Sequence, residues 1–509
     1  MVQQVDTSIS AFTNIPYNLL SQEIANGKGN GDFLTEITEI LKYYKIYKEG
    51  SSFDPEGTNG DYVPSQLRYK LTASLINKQA RFLFAEAPDI LVDPKGDVGS
   101  VSQTSKDALT ILSDLVKTVL QENKFESALV KAAKDCFIGK RVAVMVNFNE
   151  DDGITISFIP STHFIYETQT GNVNILTRFT CFVTLAESKS LNERRILRKR
   201  FTVENKIVYV EETIFDGTGY VVEELTPKRE IDLPTIPANV FLNDGLTGDI
   251  RGESEVEMLR DMESWYSKLA NADADAERKA MNGIKYVVDM DDKSTTDLSI
   301  GPGAFWDLGS DQNLEKGKPQ VGILENSMNY SEPIKATLER VKGTMFEQLD
   351  MPLVSLDTMQ GSITSGKALK AIYWPLIVRC KEKMKTWGPG LRRMVETIID
   401  GAITYPETTK KYISDTILPV EYEIRIEQNH PLPEDELEEK GMDIAEVSAK
   451  AMSRKAYMKK WRGLTDEQAE EEIKQIALER QLIDDSTFET VNEFQQNDNS
   501  NEFFDEPNF

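Results

Sequence analysis

Apolar residues recur at intervals of three and four through the first 140 positions, then switch to alternation until about Pro237. In the helical half, "DFLTEITEILKYYKIYKEG" predicts one helix ended by Gly50. "SQLRYKLTASLINKQARFLF" predicts a second, with Leu67, Leu71, Leu75 and Phe82 at helical spacing and a stop before Pro88. "KDALTILSDLVKTVLQENKFESALVKAAKDCFIGK" predicts two more, divided near Glu122–Asn123 and closing at Gly139. The alternating half, from "RVAVMVNF" through "GITISFIP", "ILTRFTCFVTLA", "RKRFTVENKIVYVEETIFD" and "GYVVEEL", reads as strands separated by turn residues. Helices followed by antiparallel strands predict one α+β unit over the first 250 residues.

Longer helices follow. "RGESEVEMLRDMESWYSKLANADADAERKAMNG" opens on a capping box, Ser254 with Glu257, and closes at Gly283. That gives roughly 28 helical residues, about 42 Å of helix. A β-rich insert ("IKYVVDM", "DLSIGPGAFWDLG", "VGILE") separates it from "YSEPIKATLERVKGTMFEQLD", a helix capped by Ser331, with Pro333 in its first turn and an end before Pro352. Two long helices bracketing a small β module place that module at the far end of a stalk. A third long helix starts near Ser365, is expected to kink at Pro375, and to break or bend again at "WGPG", 387–390. After the β-like "LPVEYEIRIEQN" the chain is helical and charged from Pro433 to about Ile483, with a Thr465–Gln468 capping box opening its last helix. The final "DDSTFETVNEFQQNDNSNEFFDEPNF" holds eight acids and no base, a composition expected to be disordered. No internal repeat is present.

Composition narrows the chemistry. The net charge is −26, which argues against a protein that grips nucleic acid by neutralising phosphates. Cys136, Cys181 and Cys380 are widely separated, as expected of a reducing compartment, with no metal or redox spacing. His163 and His430 are the two histidines; neither lies near a second ligand type, so surface or satisfied roles are expected. No apolar run is long enough to span a membrane, and the first residues do not have the form of a secretory signal.

One stretch needs weighing. "GSITSGKA", 361–368, fits most of the phosphate-loop pattern G-x-x-x-x-G-K-[ST], but Ala368 stands where Mg²⁺ needs a hydroxyl. The preceding "MPLVSLDTMQ" is a poor buried strand, and the acidic "ETIID", 396–400, lies in a helical pattern. A nucleotide-hydrolysing enzyme stays as one alternative. The other is a small, polar loop between two long helices, in which Gly361 and Gly366 turn the chain and Ser362, Thr364 or Ser365 caps the next helix.

Four stretches in this order resemble the portal proteins of tailed double-stranded DNA bacteriophages, in particular the type of long non-contractile-tailed phages of Gram-positive hosts. They are "NKQARFLFAEAPDILVD", "NVFLNDGLTGDIRGESEVEMLRDMESWYSKLANADADAE", "LDMPLVSLDTMQGSITSGKALKAIYWPL" and "AMSRKAYMKKWRGLTDEQAEEEIKQIALER". The third is similar to the family's tunnel loop and the opening of its long kinked helix. The resemblance implies an α+β portal-type subunit. Its parts would be a wing (1–253), stem helix 1 (254–283), clip (284–330), stem helix 2 (331–350), tunnel loop (351–364), kinked helix (365–401), wing return strand (402–432), helical crown (433–483) and acidic tail (484–509).

The resemblance also implies a non-enzymatic ring, usually a dodecamer, at one vertex of the virion capsid, assembled in the host cytoplasm without cofactors. Double-stranded DNA would be packaged and ejected through its channel. Its implied partners are the terminase large subunit, the major capsid and scaffolding proteins, and a head completion or adaptor protein, with no membrane. Another non-enzymatic virion structural protein is the remaining alternative.

In that frame Ser355, Thr358, Met359, Gln360, Ser362 and Thr364 are the expected DNA-proximal set. Stem helix 1 carries seven acids against four bases and stem helix 2 four against three, walls without phosphate clamps that would equally suit ordinary solvated faces. Residues 365–393 oppose this trend, with eight bases and only Glu382 as an acid. Lys367, Lys370, Lys381, Lys385 and Arg392 fall within about 60° of helical arc, with Leu369, Leu376, Cys380 and Trp387 opposite. This ridge faces a neighbouring subunit's acidic surface, the DNA, or simply solvent. Phe305 and Trp306, in "GPGAFWDLG", either anchor a partner or fill the insert's own small core.

Overall fold

The computed structural model describes residues 15–25, 32–51, 64–95, 103–170, 172–186, 188, 190–281, 284–288, 320–324, 331–353, 366–412, 420–429 and 436–479. The helices are α1 (Tyr17–Ala25), α2 (Asp32–Glu49), α3 (Leu71–Phe84), α4 (Gln103–Glu122), α5 (Phe125–Gly139), α6 (Glu255–Met281), α7 (Ser331–Gln348), α8 (Gly366–Thr404), α9 (Glu436–Ser448), α10 (Arg454–Arg462) and α11 (466–479). The strands are β1 (Asp89–Pro94), β2 (Arg141–Asn149), β3 (Gly153–Pro160), β4 (Phe164–Gln169), β5 (Asn172–Ala186), β6 (Arg195–Glu204), β7 (Ile207–Phe215), β8 (Val221–Ile231), β9 (Ala238–Leu242), β10 (Ile284–Val288), β11 (Gln320–Leu324) and β12 (Tyr422–Glu427).

The chain divides into two units, Met1–Ser355 with Ile372–Pro431, and Leu356–Ala371 with Leu432–Phe509. Helices and sheets together make the fold α+β. The alternating stretch forms two antiparallel sheets where a single one was expected, ordered β3-β2-β9 and β4-β5-β6-β7-β8. A 3-10 turn, Ser161–His163, separates β3 from β4 and breaks the ladder there. The two sheets nevertheless close on one core, in which Ala143, Met145 and Ile159 meet Phe164, Phe179, Phe201 and Val210. Alternation along the strands sends Ile165, Phe182, Ile196 and Phe215 to the opposite face, where they pack against Leu19, Leu20 and Ile24 of α1. Glu23 of α1 is buried on that face, accepts from Thr180 Oγ1 at 2.8 Å, and is ion-paired with Arg178, Arg198 and Arg200.

The α4–α5 division falls where expected, at an Asn123–Lys124 turn with Lys124 at φ 49°. Asn123 fixes it to β3, donating to Ile154 O at 3.0 Å and accepting from Ile156 N at 2.8 Å. The start of α3 differs from the expectation. Residues 65–70 are not helical, because α6 takes their backbone groups. Asp275 accepts from Ser65 N at 2.9 Å, and Asn271 both accepts from Leu67 N and donates to Leu67 O, each at 2.7 Å. Buried Glu263, also on α6, then accepts from Thr72 N at 3.1 Å and stands in as the cap of α3.

In α6, Ser254 caps as expected, accepting from Val256 N at 3.2 Å, while Glu257 turns to Lys140 at 3.7 Å. The β10–β11 pair is antiparallel and lies in the chain between α6 and α7, which pack on each other. Strand β12 pairs antiparallel with β1, Leu91 opposite Arg425.

Helix α8 is unbroken across Pro375 and Pro389, so of the break or bend expected at "WGPG" the break does not occur. The segment is held down by packing. Trp387, 1% exposed, stacks on Phe241 with ring centroids 4.4 Å apart and meets Phe84 edge-on at 5.0 Å. Gly390 sits against the same Phe241, where a Cβ would come within 2.8 Å of Cδ1. The glycine permits close approach and does not end the helix.

In the second unit, Ser453 caps α10 by accepting from Ala456 N at 3.1 Å. The Thr465–Gln468 box forms as expected, with reciprocal bonds of 3.1 and 3.3 Å. Asp443 of α9 binds Lys460 and Trp461 of α10 at 2.9 and 2.7 Å. Among the described residues no helix is long and apolar enough to cross a membrane.

Candidate functional site

Helix α8 keeps the four described members of the expected ridge on its exposed side and the apolar stripe on its buried side, past both prolines. Lys370, Lys381, Lys385 and Arg392 are exposed, while Leu376, Cys380 and Trp387 are 3%, 0% and 1% exposed. The Lys367 side chain, Ser355, Thr358, Met359, Gln360, Ser362 and Thr364 lie outside the described residues, as do Phe305, Trp306 and His430.

The structure adds what the ridge concealed. Two further cations of α8, Arg379 and Lys383, point to the buried side. Lys383 donates to Asn243 Oδ1 at 2.6 Å and pairs with Glu255 at 2.8 Å and Asp244 at 3.3 Å. Its ammonium also lies over the Phe137 ring, 4.6 Å from the centroid. Arg379 reaches Glu255 at 3.3 Å, Asp350 at 3.4 Å and Asp244 at 3.6 Å. Gln79 of α3 donates to the same Glu255 at 2.9 Å.

Each partner comes from a different element. Glu255 is the first residue of α6, where the helix dipole favours a carboxylate. Asp350 lies just beyond α7 and Asp244 just beyond β9, both with left-handed backbone, φ 53° and 48°. Burial opposes the charge on Arg379, and the Glu255 and Asp244 carboxylates outweigh it, leaving its pKa above the usual arginine value. The junction therefore fixes α8 to the start of α6 and the end of α7. With β10–β11 joining their opposite ends, α6 and α7 run antiparallel. A signal for this was present in the sequence: Arg379 and Lys383 are spaced i, i+4 and interleave with Leu376, Cys380 and Trp387 on the apolar stripe.

The acidic "ETIID" lies inside α8, with Ile398 and Ile399 buried, so it is no strand motif for a nucleotide site. Among the described residues no group of three His, Cys, Asp or Glu is arranged to hold a metal. His163 is buried, its Nδ1 2.8 Å from Thr162 Oγ1, and burial pushes its pKa down to about 4. The three cysteines are buried and unpaired, and burial pushes the Cys380 thiol up to about 12.

No curated protein matches the chain. Among solved structures, a chain from "Neck of empty GTA particle computed with C6 symmetry" aligns with 88% of this chain and 98% of its own, at 9% identity and a TM-score of 0.37, too loose a superposition to specify the fold. The family model for "Phage portal protein, SPP1 Gp6-like" matches residues 28–485, a span that takes in every described element from α2 onward. The chain belongs to the SPP1 Gp6-like phage portal family and is a subunit of the ring-forming oligomer that makes the channel at the capsid vertex.

Proposed function

We propose that the ring is a dodecamer through which double-stranded DNA is packaged and ejected, and that 351–364 is the loop nearest the duplex. In this reading Ser355, Thr358, Met359, Gln360, Ser362 and Thr364 meet DNA through small, uncharged groups, which touch a sliding duplex without clamping its phosphates. The clip, 284–330, would dock the terminase large subunit during packaging and an adaptor protein afterwards, with Phe305 and Trp306 as its apolar contact. Capsid and scaffolding proteins would meet the wing, 1–253 with 402–432. The chain itself performs no chemistry; translocation energy comes from the motor. The type of long non-contractile-tailed phages of Gram-positive hosts is the host range this reading assigns, with assembly in the host cytoplasm.

The observation that carries the reading is the Arg379–Lys383–Glu255–Asp350 junction. It holds the end of α7 against the body of α8, the two helices that residues 354–365 connect in the chain. A loop that works against passing DNA needs that anchorage.

Rotational analysis of end-on electron micrographs of the purified chain tests the ring, with twelve subunits around a central hole expected. Deleting 355–364 in a reconstituted packaging system is expected to leave rings intact and to reduce packaged DNA. Rings of unchanged packaging yield would remove the loop from the mechanism.

A further inference from the structure

We propose that neighbouring subunits of the ring meet through two complementary helix faces, the Trp374–Arg392 face of α8 on one and the Met258–Ala272 face of α6 on the next. This rests on the ring reading and goes beyond it, since ring formation alone leaves the contacting surfaces open.

The α8 face is more than a row of solvated lysines. At about 100° per residue, Trp374 and Val378 fall within the same 60° of arc as Lys381, Lys385 and Arg392. Trp374 is 58% exposed and Val378 39%, and the Lys381 ammonium lies 5.7 Å from the centre of the Trp374 ring. The α6 face offers one exposed acid, Asp261, among apolar groups. Met258, Asp261, Trp265 and Ala272 fall within about 60° of arc, with Lys268 at its flank and, beyond it, Glu257, which is paired with Lys140. Trp265 is 51% exposed and the Asp261 side chain 91%. Met258, Trp265 and Ala272 are spaced seven apart, the repeat of a helix that packs along another helix. Two of the five tryptophans are thus spent on exposed helix stripes, where an isolated chain gains nothing from them.

The two faces cannot meet within one chain. Arg379 and Lys383, on the far side of α8 from the ridge, are the residues turned toward α6. The exposed stripe of α6 lies opposite its own buried side, where Leu259, Glu263, Ser267 and Asn271 contact the rest of the unit. A closed ring needs this arrangement, two different patches on each subunit related by one rotation. Bases and a tryptophan on one patch face Asp261 and a tryptophan on the other, which favours this register and disfavours pairing of two basic α8 faces.

The test uses the full chain with cysteines placed at the two faces, Lys385→Cys and Asp261→Cys, and a short bismaleimide. The native cysteines are buried and do not compete. The doubly substituted chain is expected to give a covalent ladder extending to the whole ring. A mixture of the two single variants is expected to stop at dimers, because each subunit then carries one reactive thiol. Lys381→Glu with Lys385→Glu, and separately Asp261→Lys, are expected to weaken assembly on the order of a hundredfold, and combining them to restore it. Wild-type rings without a ladder would overturn this interface and leave the ring reading standing. Wild-type chains that form no ring would overturn both. Intact rings in the Lys381→Glu, Lys385→Glu variant would also overturn it, and altered DNA passage in those rings would assign the ridge to the duplex.

Discussion

Lys383 has almost no access to water, and Glu255, Asp244 and Asn243 surround its ammonium. Removing one member of such a set strands the others, so Lys383→Met is expected to cost about 3–5 kcal/mol, read as a shift in urea midpoint. Pairing it with Glu255→Leu should recover part of that loss, and a double variant as unstable as the single one would show that Glu255 is not its main partner. His163 sets a pH dependence. Its pKa is depressed to about 4 from 6.5, so the neutral buried ring stabilises the fold above pH 6.5, and that contribution is lost as pH falls from 6.5 toward 4. The loss is on the order of 3 kcal/mol, and His163→Gln should flatten the stability profile in that window. At this scale short-range chemistry was readable: the Thr465–Gln468 box and the Ser254 cap are made by residues three positions apart or fewer. The partners of Lys383 were not, because Asn243, Asp244 and Glu255 lie more than a hundred positions away.

The behaviour of α8 shows how elements are settled by what they pack on. Its two internal prolines each remove a backbone donor, yet the helix continues, since Leu376 and Ile377 are buried beside the first and Trp387, Leu391, Met394 and Val395 around the second. Its glycines separate cleanly into two kinds. At Gly390 an added methyl would collide with Phe241 and Asn239, whereas at Gly388 nothing lies within 4 Å. Gly390→Ala is therefore expected to destabilise by about 1–3 kcal/mol, and Gly388→Ala to stabilise by about 0.5–1 kcal/mol through helix propensity, both by thermal unfolding. Equal effects would mean that the helix does not sit on Phe241. Periodicity located α4, α5, α6 and α7 closely, because an amphipathic stripe is a local property. It overran the start of α3, where Asn271 and Asp275 of α6 hold residues 65–67.

A charge of −26 on each subunit bears on the assembled channel. Duplex DNA should pass a ring of such subunits without being held, and purified rings are expected to bind linear duplex more weakly than about 10⁻⁴ M at physiological salt. A gel-shift titration showing tight, steeply salt-dependent retention would contradict this and point to a phosphate-binding surface. By itself the sequence determined the α+β class, the order of long helices around a small β insert, the charge balance and the basic stripe of α8, because each follows from composition or from a repeat along the chain. Tertiary structure alone decided that the strands split into two sheets, that "WGPG" continues a helix, and that Arg379 and Lys383 clamp α8 to the ends of α6 and α7. These depend on which distant residues meet: the i, i+4 spacing of Arg379 and Lys383 on the apolar stripe marks one half of each pair but does not name the acid that completes it.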